Sequence, residues 1–448
     1  MERVSAEDER RGLAETDRLP PLMQDRAFHG INLTQFLGAF NDNLFKQLML
    51  LLAIPAGAAA ATEQDQQGLA TAVFSLPFLL FSGYAGFLSD RFAKRTVIVL
   101  SKVAEIGVMG LGAAAFLAFH STGYAGLLVV LFLMGTQSAF FGPGKYGILP
   151  EMFRATDLPR ANGIILMTTF LAIILGMASA GRFGELLIRP DVALSESASR
   201  LAWGSLACVL IAVVGTGTSL LIRRVPAAVP DLAFHPSTLA IPTDALRTLR
   251  QDRLLMASLL ASSMFWLISG IAAQAVNSLG MVQLQLGLGK TSLMTAMIGL
   301  GIAVGAILAG RLCHQRPNFR VVRWGLWGIL GLLLLLSISL PNGQHLLGFS
   351  GSVPVLMLLG VSAACFAIPI QVFIQARPPA DLKGRMIAVM NQFNFLAILL
   401  SGLLYQGFDR LLVWFDGARS LLFAMMAIFV IPLLIWYHPH ANPASRED

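Results

Sequence analysis

Asn41, Asp42, Asn43 and Lys46 interrupt a run from Ile31 to Ile54 that is otherwise long and apolar enough to cross a bilayer. A charge at the centre of a spanning helix costs on the order of 2.5–3.5 kcal/mol on insertion scales, so such residues usually face a cavity or a partner. A carboxylate at Asp42 attracts an ammonium group, and an ammonium at Lys46 attracts a phosphate. The alternative is internal: at i and i+4 on one helix, Asp42 and Lys46 neutralise each other. Asn41 and Asn43 project about 100° to either side of Asp42, so at most one shares its face.

A second group lies at Gly86-Phe87-Leu88-Ser89-Asp90-Arg91-Phe92-Ala93-Lys94-Arg95. Gly86 permits close helix approach. Asp90 suits a helix N-terminus or an arginine across an interface, and Arg91 and Arg95 supply the basic flank. Making and breaking such a contact biases one conformation against another, which is a gating role. The loop resembles the G-x-L-x-D-R-x-G-R-R/K motif of the major facilitator superfamily, with Ala93 where the motif has Gly. An ordinary basic loop is the alternative.

These residues need a frame. Hydrophobic residues make up 56% of the 448 positions and charged residues 13%, with a mean hydropathy of +0.70. A soluble chain carries about 25% charged residues, so this one reads as a polytopic membrane protein. Apolar runs at about 31–54, 68–89, 97–119, 123–142, 161–187, 201–222, 254–279, 291–310, 321–340, 352–376, 386–406 and 418–437 predict twelve transmembrane helices. With the N-terminus inside, 25 of the 32 Lys and Arg fall on the cytoplasmic side and 6 outside, which places both termini in the cytoplasm. The net charge of +7 is thus a positive-inside bias, and no nucleic-acid partner is expected.

The chain is expected to comprise a cytoplasmic tail (1–29), a six-helix bundle (30–222), a cytoplasmic linker (223–252), a second six-helix bundle (253–438) and a short cytoplasmic tail (439–448). The N-terminal tail, polar and without an apolar h-region, carries no secretory signal and reads as a surface segment. Within the linker, Leu246-Arg247-Thr248-Leu249-Arg250 predicts a short helix. The halves repeat. Gly86–Arg91 matches Gly310–Gln315 at an offset of 224, Leu158 matches Leu382, and Phe170–Ile173 recurs as Phe395–Ile398. Six spans per half give a parallel repeat about an axis along the membrane normal, the arrangement of the major facilitator fold.

Lys145 lies in Phe140-Phe141-Gly142-Pro143-Gly144-Lys145-Tyr146-Gly147-Ile148-Leu149-Pro150-Glu151 at the end of the fourth span. That block, together with Gln35–Asn43 and Ala161-Asn162-Gly163, resembles the lysophospholipid transporter family and the transporter domains fused to acyl-glycerophosphoethanolamine acyltransferases. The resemblance implies a multi-pass flippase of the bacterial inner membrane. It would carry lysophospholipids such as lysophosphatidylethanolamine from the outer to the inner leaflet for reacylation, with substrate or gating roles at Asp42, Asn43 and Lys145. The family's ionisable residues in spans 7 and 11 are absent at the aligned positions Ala273 and Asn394. Gln274, Asn391 and Gln392 offer neutral polar groups nearby, as cavity lining or as helix–helix glue. Lys145 can equally anchor a helix end.

Cys208, Cys313 and Cys365 have neither metal-ligand spacing nor a disulfide framework, and the seven His are scattered. No phosphate-binding loop or nucleophile elbow occurs, so the expectation is a non-enzyme with no cofactor and no metal. Membrane lipids, the lysophospholipid and a separate acyltransferase or acyl-activating enzyme are the expected partners, and the chain is expected to be a monomer. Two rival functions stand beside the flippase. One is a proton-coupled exporter of drugs or small metabolites with Asp42 as proton carrier; the other is a non-transporting scaffold for an acyltransferase.

Overall fold

The computed structural model describes residues 20–54, 65–154, 156–188, 194–234, 243–313, 318–378 and 383–437. Its long helices are α1 (Arg26–Leu52), α2 (Gln67–Arg91), α3 (Lys94–Leu117), α4 (Phe119–Gly147), α5 (Leu158–Leu187) and α6 (Leu194–Ser219), followed by α7 (Arg253–Ser278), α8 (Leu288–Cys313), α9 (Phe319–Leu336), α10 (Gly348–Ala376), α11 (Lys383–Trp414) and α12 (Leu421–Trp436). Ten are long and apolar enough to cross a membrane by length and composition. Two of the twelve predicted spans fall outside that measure: α1 because Asn, Asp, Gln and Lys lower its hydropathy, and α12 because it has 16 residues.

Side-chain caps fix several helix starts. The Asp25 carboxylate accepts from the Ala27 N–H at 2.8 Å and starts α1. Asp252 accepts from Leu254 and Leu255 and starts α7, and Asn318 accepts from Arg320 and starts α9. A left-handed Gly123 (φ 56°) sets one opening turn of α4 at an angle to the rest. Arg223 ties helix ends together: its guanidinium donates to Asp25 at 2.9 Å and to the Met152 carbonyl at 2.8 Å. We call the end of the molecule holding the α2–α3 turn and Arg223 the basic face.

One expectation needs correction here. The tail does not reach residue 29, because α1 begins at Arg26, and Leu22, Ala27 and Phe28 are buried against Ile148, Met152 and Phe153. Apolar burial, worth about 1.5–3 kcal/mol per large side chain, holds this segment to the helical body. The predicted linker helix is present as Thr243–Gln251. Residues 439–448, and the repeat positions His314, Gln315 and Leu382, lie outside the described residues.

The hydrophobic cores divide by sequence. One draws only on residues from Leu249 to Tyr437, and two others only on residues from Leu22 to Val225. The two sets meet along α2 against α11 and along α5 against α8. At the first seam Gly68 and Gly402 abut so closely that a Cβ on Gly68 would stand 2.3 Å from the Gly402 carbonyl oxygen. Phe78 of α2 stacks on Phe395 of α11 further along, with centroids 4.0 Å apart.

Candidate binding site and gates

Asp42 is partly buried, and α4 supplies its partners. The Ser138 hydroxyl donates to its Oδ2 at 2.6 Å, and the Gln137 amide approaches its Oδ1 at 3.4 Å and Ser138 at 2.8 Å. No ion pair joins Asp42 to Lys46; the Lys46 ammonium stands 5.0 Å from the centre of the Phe74 ring of α2. A carboxylate and an ammonium therefore share one side of α1 without being joined. Such a pair can meet opposite charges on one zwitterionic ligand.

The neighbouring asparagines serve other purposes. Asn41 is fully buried and turns toward α3 and α6, donating to Glu105 at 2.8 Å and to the Cys208 carbonyl at 3.2 Å. Asn43 donates back to the Ala39 carbonyl of its own helix at 2.8 Å. Glu105 also pairs with Lys102, both buried. Their room comes from glycine: a Cβ on Gly38 would stand 2.8 Å from the Lys102 ammonium. This triad holds α1 to α3 and α6, which orients Asp42 toward α4.

The remaining predicted site residues are dispersed. Lys145 is buried two turns from Ser138 along α4, about 10 Å by helical rise, with its ammonium 4.6 Å from the Tyr146 ring centre. Gln274 is buried in α7 and donates to the Gly270 carbonyl at 2.9 Å. Asn391 is exposed on α11, whereas Asn394 is buried near the Ser262 and Ser263 hydroxyls. None of these reaches Asp42 by a hydrogen bond.

At the basic face Asp90 is exposed, its carboxylate has no hydrogen-bond partner among the described residues, and its backbone carbonyl accepts from the Val229 N–H at 2.9 Å. Arg95 donates to the Leu220 carbonyl at 2.8 Å, and the Arg91 guanidinium packs over Phe87 and Phe92. Gly86 is not a point of close approach, because a Cβ there would meet nothing within 4 Å. In this conformation the loop holds no charge contact across the α2–α11 seam among the described residues.

The opposite face is where the two halves bond. Asn277 of α7 receives the Gln47 amide of α1 at 2.9 Å and the Thr295 hydroxyl of α8 at 2.8 Å, and donates to Gln67 of α2 at 2.8 Å. Asp65, just before α2, accepts from the Tyr405 hydroxyl of α11 at 2.7 Å. Its own N–H points to Asp409 of α11 at 3.3 Å, and Asp409 is paired with Arg419. All eight side chains are buried. At the second seam Glu185 of α5 accepts from the Gly289 N–H of α8 at 2.8 Å while holding Arg182 at 3.0 Å.

The sequence reading missed Asp65, Asp409 and Arg419. It ended the eleventh span near residue 406, although α11 runs to Trp414. Tyr405 and Asp409 lie one turn apart on one face of it, which is the signal that would have found them.

The profile of the Major Facilitator Superfamily matches residues 31–402. The chain belongs to that superfamily. Among solved members it is similar to the nucleoside transporter NupG (12% identity, TM-score 0.66, 91% of this chain and 98% of that one). It is likewise similar to the human organic anion transporter MFSD10 (17% identity, TM-score 0.62, 93% and 99%), which bears on the fold alone. Sequence relatives are nearer. The lysophospholipid transporter LplT of Klebsiella pneumoniae is 28% identical over 402 residues, covering 87% of this chain and 90% of the relative. That of Shigella boydii is 29% identical over 382 residues, covering 84% and 87%. As a superfamily member the chain is a transporter with apolar spanning helices.

Proposed function

We propose that this protein carries lysophospholipids across the bacterial inner membrane, from the outer leaflet to the inner one, by alternating access. The single observation that carries the reading is the unpaired arrangement of Asp42 and Lys46 on α1. A lysophosphatidylethanolamine headgroup offers an ammonium to Asp42 and a phosphate to Lys46, so one ligand answers both charges. The names of the relatives point to the same substrate class.

The single acyl chain needs an apolar place. A pocket among α7, α8, α9 and α10 is lined by Phe265, Ile268, Ser269, Ile298, Ile329 and Phe366, with Ser269 the one polar member of this group. Its void in this conformation is about 20 Å³, room for roughly one water, so it would admit the chain only where α7 to α10 part. In this reading α1–α6 and α7–α12 act as two rocking bundles joined by residues 223–252, the basic face is cytoplasmic, and the protein works as a monomer that delivers substrate to a separate acyltransferase.

The test is reconstitution in vesicles with labelled lysophosphatidylethanolamine in one leaflet. Wild type is expected to move label between leaflets and Asp42→Asn to move it at least tenfold more slowly. Movement at the protein-free rate in the wild type overturns the flippase reading. Parallel vesicles loaded with a labelled drug or small metabolite in place of the lysophospholipid separate it from an exporter: movement of that solute and not of the lipid favours the exporter.

A further inference from the structure

The bonds that join the halves at the face opposite the basic one converge on a single carboxyl group. Oδ1 of Asp65 accepts from the Gln67 N–H at 2.8 Å, and Oδ2 accepts from the Gln67 amide at 2.8 Å and from the Tyr405 hydroxyl at 2.7 Å. Its backbone is held too: the Gln406 amide donates to its carbonyl at 2.6 Å, and its N–H faces Asp409. Asp65 thus belongs to the α2 side by sequence and is bound largely by α11.

Two carboxylates meet there with one cation. Arg419 serves Asp409, and Arg410, the next residue on α11, is exposed. The rest of the network is neutral: Gln67 carries it from Asp65 to the Gln274 carbonyl and to Asn277 of α7, and Asn277 to Gln47 of α1 and Thr295 of α8. From α4 comes Tyr124, whose hydroxyl donates to the Met49 carbonyl at 2.8 Å. With Asp65 and Asp409 both ionised, the closed face buries one uncompensated negative charge, a costly arrangement in a low-dielectric setting.

We propose that Asp65 is a proton-binding site that sets the latch between the halves, proton uptake closing this face and proton loss releasing it. The inference rests on the inter-half network and goes beyond the substrate reading, so it stands whatever the cargo. A proton fits where a metal cation does not. Three donors occupy three of the roughly four lone-pair positions of the Asp65 carboxylate, and Arg419 takes an oxygen of Asp409. One position on Oδ1 remains, enough for a hydrogen and too few for a coordination shell.

The sign follows from burial. Desolvation in the closed face pushes the Asp65 carboxyl up to about 6, against the Tyr405 and Gln67 bonds that favour its charged form. When the halves part, water reaches the group and it returns to the ordinary value of about 3.9. The closed state therefore binds the proton more tightly. Its contribution to closure is complete below about 3.9 and is lost as pH rises through about 6.

The experiment reads the latch directly. Spin labels go on Leu186→Cys and Trp414→Cys, exposed positions where α5 and α11 end at this face, with Cys208, Cys313 and Cys365 replaced and the full chain in lipid nanodiscs. Pulsed dipolar spectroscopy from pH 5 to 8 is expected to show the short-distance population growing as pH falls. The closed-to-open ratio should rise by up to about tenfold per pH unit, the slope for one linked proton. Asp65→Asn should stay at the short distance throughout. Tyr405→Phe, which removes one donor to the carboxylate, should move the midpoint to higher pH. A pH-independent parent, or an Asp65→Asn protein with the parent's response, overturns the proposal. If Asp65→Asn fails to fold, an unmoved midpoint in Tyr405→Phe overturns it instead.

Discussion

The Ser138 hydroxyl of α4 lies 2.6 Å from Oδ2 of Asp42 on α1, the shortest bond of the Asp42 carboxylate to a neighbouring helix. It holds the carboxylate in place while leaving the α1 side near Lys46 free for a ligand. A hydrogen bond to a charged group contributes about 1.5–3 kcal/mol. If that bond positions Asp42 for substrate, Ser138→Ala should raise the apparent KM for lysophosphatidylethanolamine about tenfold, with Ser138→Thr restoring most of it. Equal KM values in wild type and Ser138→Ala would show that Asp42 needs no such support.

The buried Lys102–Glu105 pair makes a different demand. Glu105 accepts from Asn41 at 2.8 Å, so α3 reaches α1 through charge rather than through apolar packing alone. Removing one member leaves a buried charge uncompensated, at a cost of about 3–5 kcal/mol, whereas replacing both with apolar residues of similar volume is often neutral. Lys102→Met alone should therefore lower the melting temperature in detergent by several degrees, and Lys102→Met with Glu105→Leu should recover most of it. A double variant as unstable as the single one would refute the charge-balance account.

The legible and illegible parts of the chain separate on physical grounds. Apolar runs of bilayer length announce helices whatever their neighbours, so α2 to α11 were readable from hydropathy and the Gly86–Arg95 motif pointed to the superfamily. Asp42 stood out because a charge in an apolar run is costly. Hydropathy does not tell which way a side chain turns: Asn41 and Asn43, adjacent in sequence to Asp42, are bound to α3, α6 and their own helix. The latch was hidden for another reason. Asp65, Asp409 and Arg419 lie at helix ends, where charges are ordinary in sequence, and only the docking of α2 on α11 buries them.

Asp90 carries the gating expectation. Its carboxylate is exposed and unengaged while the opposite face is bonded shut, so any contact it makes across the seam belongs to the other arrangement. Asp90→Ala should leave the thermal stability of this conformation within about 0.5 kcal/mol of wild type, as for an exposed side chain. Lysophospholipid movement should slow severalfold, because the return to the arrangement closed at the basic face loses a stabilising contact. Wild-type flux in that variant, measured in the same vesicles, removes the loop from the gating mechanism.

Gly68 tests how tightly the halves must meet. Its α-carbon faces Gly402 across the α2–α11 seam, and an added Cβ would stand 2.3 Å from the Gly402 carbonyl oxygen and 3.0 Å from the Gln406 side chain. Backbone carbonyls cannot step aside as a flexible side chain can, so the helices must separate. Overpacking of this kind costs about 1–3 kcal/mol. Separation also draws α11 from Asp65, whose bonds to Tyr405 and Gln406 depend on that approach. Gly68→Ala should therefore favour the state open at this face: the short-distance population of the Leu186 and Trp414 labels should fall at every pH. Gly331→Ala on α9, at a position with open space away from both seams and the gating loop, is the control and should leave that population unchanged. A Gly68→Ala protein with the parent's distance distribution would mean that the seam tolerates a methyl group and that its closeness does not hold the latch.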